Sequence, residues 1–287
     1  MNYLKPEELT GGMMVIVPHQ DDEVLLYGGV LYEAKRHGQD VKVVIVTNGD
    51  CDCRDHTKGQ ERLRESIKGM GKLGIPESDL IFLGYADTGM PKEDSFLGRL
   101  YEEKRQDKKI VSACSDKTYA LPEKPEYHAE KFGEHALYTR RMVEQDLKSV
   151  LTDYKPKYIF TTCGEDTHGD HTGLYLFLRE ILRQLRTEKS YDPEVFCGLV
   201  HSAAGDEFWP DRDGAGFICP EDFDSSGNLR WDDRYCFALP EELTRKKGAE
   251  NLKYQALLQY ETALEPSAYE FLMSFIKDEE IFWKMAE

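Results

Sequence analysis

Short apolar runs alternate with amphipathic stretches along the first two thirds of the chain. The runs are rich in β-branched and aromatic residues, which is typical of strands buried on both faces. They lie at residues 13–17, 41–47, 80–83, 158–162 and 195–200. Between them, apolar positions recur at helical spacing, as at residues 60–73 and 138–154. This alternation predicts an α/β fold with a mostly parallel sheet.

Three other stretches depart from this alternation. Residues 91–135 are charged and weakly periodic, which predicts an active-site insertion, with His128 and His135 expected at its surface. Residues 205–240 are rich in Gly, Asp and Pro and predict a loop excursion. Residues 240–260 and 266–285 are predicted as closing helices. We therefore expect one domain over residues 1–287, in which 201–287 form a C-terminal loop and helical flank.

The charge balance limits the partners of the chain. Its 37 basic and 54 acidic residues give a net charge of −17. Such a charge opposes binding to nucleic acid and to anionic membranes, so a small neutral or cationic ligand is expected. A homo-oligomer is left open.

Targeting signals are also missing from the pattern. No apolar stretch is long enough to span a membrane, and the first strand begins too early for a signal peptide to precede it. Seven scattered cysteines do not resemble a disulfide framework. We therefore expect a cytoplasmic protein.

Candidate chemistry follows the first strand, in the segment Pro18-His19-Gln20-Asp21-Asp22-Glu23. His19 and Asp22, three residues apart in a turn, are able to face one cation. Asp21 then points elsewhere, which leaves a free carboxylate beside the metal to take a proton from water. The alternative is a solvated acidic turn. A partner motif at the same sheet edge would decide between them, because loops at the carboxyl ends of parallel strands converge.

A partner motif follows the fourth predicted strand. The segment Asp166-Thr167-His168-Gly169-Asp170-His171 places two histidines three residues apart, with an aspartate between them, just before a helix. This arrangement again allows one residue on the metal and another beside it. Two such loops favour a shared metal site over two unrelated polar turns.

Three further residues reach the same sheet edge. Arg62 lies near the start of a predicted helix, where the alternative is an exposed pair with Glu65. Asp87 follows the third strand and is well placed to hydrogen-bond a ligand hydroxyl. His201 follows the fifth strand, where a substrate contact and a structural histidine are both compatible with its position.

The two motifs resemble those of the LmbE/PIG-L family of zinc-dependent de-N-acetylases, which read Pro-His-Pro-Asp-Asp-Glu and His-Pro-Asp-His. Gln20 and Gly169 replace the internal prolines, which affects only loop rigidity. The resemblance extends to the Arg62–Glu65 helix and the loop with Asp87, and covers the chain to about residue 200. It implies a three-layer α/β/α, Rossmann-like sheet.

The resemblance also implies a role for each site residue. The histidine matching His168 stabilises the oxyanion or protonates the leaving amine, and the aspartate matching Asp170 orients it. We expect His168 to act as a cation. The family pattern further implies one zinc ion per chain held by His19, Asp22 and His171, Asp21 as general base, and substrate contacts at Arg62 and Asp87.

We therefore expect a zinc-dependent hydrolase that removes the N-acetyl group from an amino sugar of the N-acetylglucosamine type, or from its conjugate. One alternative is an amidase acting on another small amide conjugate, because the same centre attacks any small amide. Another is a non-catalytic carbohydrate-binding relative, which should have lost Asp21 or a zinc ligand. A dinucleotide-dependent enzyme is disfavoured, because the first strand does not lead into a Gly-x-Gly-x-x-Gly turn.

Overall fold

A single sheet forms the framework of the molecule. The computed structural model describes residues 1–221, 223, 229–244 and 250–286. Over these ranges the strands are β1 (Asn2–Tyr3), β2 (Met13–Val17), β3 (Val41–Thr47), β4 (Leu80–Tyr85), β5 (Tyr158–Thr162), β6 (Glu194–Gly198), β7 (Tyr235–Ala238) and β8 (Glu279–Lys284). The helices are α1 (Asp22–Arg36), α2 (Thr57–Lys72), α3 (Phe96–Glu102), α4 (Tyr127–Phe132), α5 (Arg140–Tyr154), α6 (Gly169–Lys189), α7 (Leu252–Leu257) and α8 (Tyr269–Met273).

The strand order is β1-β7-β8-β6-β5-β2-β3-β4. From β6 to β4 every neighbouring pair is parallel, and β1 is parallel to β7. Only β8 runs antiparallel, against both β6 and β7. The predicted α/β fold with a mostly parallel sheet is confirmed.

Alternate residues of the central strand β2 enter two different cores. Met13, Val15 and Val17 pack into an apolar cluster with side chains of α1 and α2. Met14 and Ile16 pack into a second cluster with side chains of α5 and α6. Since successive strand residues point to opposite faces, the two clusters lie on opposite sides of the sheet and make three layers.

The position of β2 places the two motif loops side by side. The chain runs from β2 to β3 and β4 in one direction, and returns to β5 on the other side of β2. The point where strand order reverses is where ligands bind in open α/β sheets. The loop after β2 (residues 18–23, the first loop) and the loop after β5 (residues 166–171, the second loop) meet at this point.

The insertion is more ordered than its sequence pattern indicates. It contains α3, which packs along α6, and α4. The expectation of a surface position is wrong for His128, which is buried and lies with Nδ1 2.6 Å from Asp146 Oδ1 on α5. His135 is exposed as expected, with Nδ1 2.9 Å from Glu126 Oε1.

The closing segment corrects the predicted helical flank. Residues 279–284 are strand β8, and α7 and α8 cover only parts of the predicted helices. Ile281, Phe282 and Trp283 are consecutive and buried, and a run without helical spacing fits a strand between two neighbours. Residues 245–249 of the predicted helix, and residues 222 and 224–228 of the loop excursion, lie outside the described residues.

None of the helices in the described ranges is both long and apolar enough to cross a bilayer.

Candidate metal and active site

The first loop turns sharply between β2 and α1. Asp21 occupies the N-cap position of α1 with a φ of +105°. Residues other than glycine rarely adopt this backbone conformation. Its N–H donates to Glu23 Oε2 at 2.9 Å, and the N–H of His19 donates to Asp22 Oδ2 at 3.0 Å. Such backbone strain costs on the order of 1–3 kcal/mol and is characteristic of functional sites. The turn directs Asp21 and Asp22 to different partners.

The second loop is held by the carboxylate of Asp166. One oxygen accepts from the N–H of His168 at 2.9 Å, and the other from the N–H groups of Val200 and His201 at 2.9 and 3.0 Å. The second oxygen also lies 2.9 Å from His171 Nδ1. Asp166 therefore orients His171 so that Nε2 faces the first loop. We did not predict this role, although a carboxylate just before a ligand histidine is a usable signal.

Three side-chain atoms from the two loops form a nearly equilateral triangle. His19 Nδ1 and His171 Nε2 are 3.2 Å apart, and Asp22 Oδ2 lies 3.5 Å from the first and 3.3 Å from the second. Ligand bonds of about 2.0–2.1 Å in tetrahedral geometry require ligand atoms about 3.3 Å apart. The predicted zinc ligands thus fit zinc in both chemistry and spacing.

Among the residues that the structure describes, two other trios have ligand atoms within 4.8 Å of one another, and both include His19. One adds His168 and His171, and the other adds Asp87 and Asp170. We favour the trio with Asp22, because its three mutual distances of 3.2–3.5 Å match the spacing of ligand atoms around one tetrahedral ion. Cys163, the cysteine nearest in sequence to the second loop, is buried in an apolar cluster.

The Asp170 carboxylate does not hold His168, which corrects the role implied by the resemblance. Asp170 Oδ1 accepts from the N–H of Leu97 at 2.6 Å, and Oδ2 lies 3.2 Å from His19 Nε2. The start of α3 in the insertion therefore draws this carboxylate towards His19. Asp170 contacts His168 through its backbone N–H, which donates to Nδ1 of His168 at 3.2 Å, and not through its carboxylate. Asp170 thus orients a predicted zinc ligand.

Burial changes the protonation of the site. It raises the pKa of Asp21 to about 6, although the Arg62 cation opposes this shift. Burial also disfavours the charged form of Asp22, but the neighbouring His171 and His19 hold the pKa of Asp22 well below its usual range. The pKa of His168 is lowered, first by burial and then by positive charge on His19 and His171. The structure therefore favours a neutral His168, not the cation that we expected.

Arg62 braces the first loop. Its guanidinium donates to the carbonyl of Gln20 at 2.9 Å and to that of Gly49 at 3.4 Å, and lies 3.8 Å from Asp21 Oδ2. The alternative of an exposed pair with Glu65 is wrong, because Glu65 is buried and accepts from the N–H and hydroxyl of Thr262. Arg62 therefore acts on the loop and on the charge of Asp21.

The remaining candidates lie at the same sheet edge. The N–H of Asp87 donates to Asp50 Oδ1 at 2.8 Å, and its carboxylate belongs to the trio with His19 and Asp170. The ring of His201 lies with its centroid 5.7 Å from that of His171. The predicted residues therefore meet at one site. They come from the first loop, the second loop, and the segments that follow β4 and β6.

Three solved structures share the fold of the chain. The zinc-inhibited form of teicoplanin deacetylase Orf2 is 17% identical with a TM-score of 0.54, over 96% of this chain and 97% of that one. N,N′-diacetylchitobiose deacetylase from Pyrococcus horikoshii is 15% identical with a TM-score of 0.57, over 98% and 85%. The A40926 pseudoaglycone deacetylase Dbv21 is 16% identical with a TM-score of 0.56, over 96% and 98%.

Sequence comparison assigns the family. A search of curated proteins found no match. The family model described as PIG-L, GlcNAc-PI de-N-acetylase, matches residues 14–182, which is more than half of the chain and includes both motif loops. The chain therefore belongs to the PIG-L, or LmbE-like, family of deacetylases.

Proposed function

We propose that the protein is a zinc-dependent hydrolase that removes the N-acetyl group from an N-acetylated amino sugar or its conjugate. One observation carries this proposal: the zinc-sized triangle of His19 Nδ1, Asp22 Oδ2 and His171 Nε2, with the carboxylate of Asp21 next to it in the chain. Three protein ligands leave a coordination position open, which is the arrangement of catalytic rather than structural zinc. We propose one zinc ion per chain.

Bound zinc would lower the pKa of a water molecule and polarise the amide carbonyl. Asp21 takes a proton from the water as its oxygen bonds to the carbonyl carbon, and the carbonyl electron pair moves onto oxygen. Since the backbone N–H of Asp170 occupies Nδ1 of His168, a neutral His168 carries its proton on Nε2 and donates a hydrogen bond to that oxyanion, while the proton stays on the ring. Asp21 then gives its proton to the nitrogen as the C–N bond breaks and the oxyanion electron pair re-forms the carbonyl, which releases acetic acid and an amine. The acid passes its proton to the amine, so the final products are acetate and an ammonium group.

The substrate class is supported by charge and by the similar structures. A chain with a net charge of −17 favours a neutral or cationic small molecule. Two of the similar structures are named as deacetylases of teicoplanin and of N,N′-diacetylchitobiose. We propose that Arg62, Asp87 and His201 contact the sugar, and that Arg62 also braces the first loop through the carbonyl of Gln20.

The test is release of primary amine by zinc-loaded protein. The panel contains N-acetylglucosamine, N,N′-diacetylchitobiose, both anomers of a simple N-acetylglucosamine glycoside, and an N-acetylated amino acid as a non-sugar amide. We expect turnover of at least one sugar and much slower turnover of the amino acid. Faster cleavage of the amino acid would favour the amidase, and binding without cleavage would favour the carbohydrate-binding relative.

The metal assignment is tested separately. Metal analysis should find about one zinc per chain in the wild type, and less in Asp22→Ala and His171→Ala. His168→Ala is the matched control, because it removes an imidazole beside the triangle without removing one of its corners. Full zinc occupancy in both ligand variants would contradict the assignment.

A further inference from the structure

Two histidines beside the predicted zinc ligands are held in opposite tautomers. Nδ1 of His168 accepts a hydrogen bond from the backbone N–H of Asp170 at 3.2 Å. A backbone N–H only donates, so Nδ1 bears the lone pair and the neutral ring carries its proton on Nε2. His168 therefore presents a hydrogen-bond donor.

His201 has the reverse arrangement. Its Nδ1 lies 2.9 and 3.0 Å from the two carboxylate oxygens of Asp206. An ionised carboxylate only accepts, so Nδ1 carries the proton and Nε2 bears the lone pair when the ring is neutral. Within the part of the chain that the structure describes, Nε2 of His201 has no hydrogen-bond partner. His201 therefore presents an acceptor.

The ring of His201 is fixed by packing as well. It stacks on Phe271 with centroids 5.2 Å apart and an angle of 12° between the planes. The Arg212 guanidinium lies 5.6 Å from the centroid of the same Phe271 ring. The backbone N–H of His201 is held by Asp166 at 3.0 Å, and its side chain is 17% exposed. Exchanging the two ring nitrogens would break the contact with Asp206, so the acceptor stays in place.

The two histidines are close enough to contact one small molecule. Their ring centroids are 5.9 Å apart, and that of His201 is 5.7 Å from the predicted ligand His171. A substrate that contacts both rings must offer an acceptor to His168 and a donor to His201. A secondary amide flanked by a hydroxyl, as in an N-acetyl amino sugar, offers a carbonyl oxygen and two donors.

We propose that His201 accepts a hydrogen bond from a hydroxyl or amide N–H of the bound substrate, and that Asp206 is the positioning residue that keeps Nε2 as the acceptor. This inference rests on the proposed function and deepens it. A contact with the amide N–H makes the site select secondary amides over O-acetyl esters and tertiary amides, which lack the N–H. A contact with the hydroxyl makes it select substrates that carry a hydroxyl beside the amide.

The first experiment needs no substrate. Zinc-loaded protein is labelled with ¹⁵N-histidine, and spectra that correlate ring nitrogens with carbon-bound protons show which nitrogen is protonated. The His201 signals are those missing from His201→Gln. We expect protonation at Nδ1 in the wild type, a shift towards Nε2 in Asp206→Leu, and retention of Nδ1 in Asp206→Asn, whose amide oxygen still accepts.

The control for this experiment is Asp107→Leu, which removes an exposed carboxylate paired with Arg141 in another part of the surface. It should leave the His201 signals unchanged. A wild-type His201 protonated at Nε2, or signals that do not move in Asp206→Leu, would overturn the role of Asp206.

The second experiment measures the substrate contact with N-acetylglucosamine. Loss of one hydrogen bond should raise KM about 2- to 12-fold in His201→Phe, more than it lowers kcat. Phenylalanine retains the stacking on Phe271, whereas His201→Gln restores an acceptor and should fall between. The 3-deoxy analogue lacks the hydroxyl donor, and the N-methyl analogue lacks the amide N–H. The analogue without the donor that contacts His201 should have a higher KM than N-acetylglucosamine in the wild type, and the same KM as N-acetylglucosamine in His201→Phe.

His37→Phe is the matched kinetic control, since His37 is a half-exposed histidine at the end of α1. It should change neither kcat nor KM. An unchanged KM in His201→Phe, or a fall in kcat alone, would overturn the inference. If no sugar is cleaved by the wild type, the proposed function fails, while the tautomer experiment still tests Asp206.

Discussion

The first and second loops contribute differently to the site. The first loop supplies two predicted zinc ligands, His19 and Asp22, and the proposed base Asp21. The second loop supplies one predicted ligand, His171, but its two carboxylates orient both ligand histidines: Asp166 faces His171 and Asp170 faces His19. The loop with fewer ligands therefore orients both histidine corners of the triangle.

The loops also differ in what supports them. Within the first loop, Asp21 bonds to Glu23 and His19 bonds to Asp22, with Arg62 as a brace from α2. The second loop depends on the insertion and the residue before it, because Gly169 donates to the carbonyl of Met90 at 2.8 Å and Asp170 accepts from Leu97. Loss of the proposed base Asp21 in the first loop should therefore act on chemistry, whereas changes around the second loop should act on stability and metal affinity.

The largest effect is expected from Asp21→Asn in the first loop. Asparagine keeps the size and tolerates the positive φ of residue 21, but it does not accept a proton. We expect kcat to fall by about 10²- to 10⁴-fold, the usual contribution of a positioned general base. Steady-state kinetics and metal analysis together check this expectation.

Zinc content and unfolding free energy should be close to those of the wild type in this variant. Asp21→Gly is the companion variant, since glycine relieves the strain at residue 21 and should raise stability while abolishing activity. Loss of zinc in Asp21→Asn would instead mean that Asp21 is a ligand.

The next effect is on stability, at Gly169 in the second loop. A Cβ on residue 169 would lie 2.1 Å from Ser95 Oγ and 2.6 Å from Lys92 Cα, so the insertion would have to move. We expect Gly169→Ala to lower the free energy of unfolding by about 1–3 kcal/mol, as measured by urea denaturation. Gly169→Pro, which restores the family motif, should cost more because it also removes the donation to Met90.

Gly71→Ala is the matched control. Gly71 lies in α2, and a Cβ there meets no atom within 4 Å. This substitution should be neutral or stabilising by up to about 1 kcal/mol, because glycine is unfavourable inside a helix. Equal effects of the two alanine substitutions would show that the second loop does not depend on the insertion.

These contacts show what the sequence was able to predict. Strands β2, β3 and β5 were predicted at their observed bounds, because their apolar runs are continuous and end at polar turns. The predicted metal ligands of the first loop lie within one turn of six residues, so their spacing in the sequence was sufficient to predict them. The partner of Asp170 was not predictable in this way, since it is the N–H of Leu97, 73 positions away in a segment without periodicity. Strand β8 was missed because its partners β6 and β7 also lie far from it in sequence.

A smaller effect is expected from Asp166→Asn in the second loop. The amide keeps an acceptor for the backbone N–H groups but lacks the charge that faces His171 Nδ1 at 2.9 Å. Loss of such an outer carboxylate typically lowers metal affinity by about 10- to 100-fold. Competition with a zinc chelator measures this affinity.

Asp170→Asn tests the same point for the first loop, since that carboxylate faces His19 Nε2. It should lower zinc affinity by a similar factor, if the second loop orients both histidines. An effect of Asp166→Asn alone would limit the orienting role of the second loop to its own ligand.

A pH effect is expected in the insertion that supports the second loop. Burial disfavours a charged His128, but the hydrogen bond with Asp146 and the nearby Glu126 raise the pKa of His128. Its contribution to stability is then fully present below pH about 6.5, the unfolded value, and is lost as pH rises through the raised folded pKa. We expect the free energy of unfolding to fall more between pH 6.5 and pH 9 in the wild type than in His128→Gln, because only the wild type loses the charged pair with Asp146.

Urea denaturation at the two pH values measures this difference. The comparison is made on the alkaline side, because burial also raises the pKa of Asp146. His135→Gln is the control, since His135 is an exposed histidine of the same insertion. If the free energy of unfolding changes equally with pH in the wild type and in His128→Gln, the charged His128–Asp146 pair does not stabilise the fold.

The smallest effect is expected from Gln20→Met in the first loop, at the other position where the family motif has proline. Gln20 is fully buried and its Nε2 donates to the carbonyl of Thr47 at 2.7 Å, which ties the loop to the end of β3. Methionine is unbranched, of similar length and without the amide. Loss of one hydrogen bond should lower the free energy of unfolding by about 0.5–1.5 kcal/mol, part of which is recovered by burying an apolar group.

Zinc content and kcat of Gln20→Met should change little, since Arg62 and the internal hydrogen bonds of the first loop remain. A cost equal to that of Gly169→Ala would show that the first loop is supported from outside as strongly as the second.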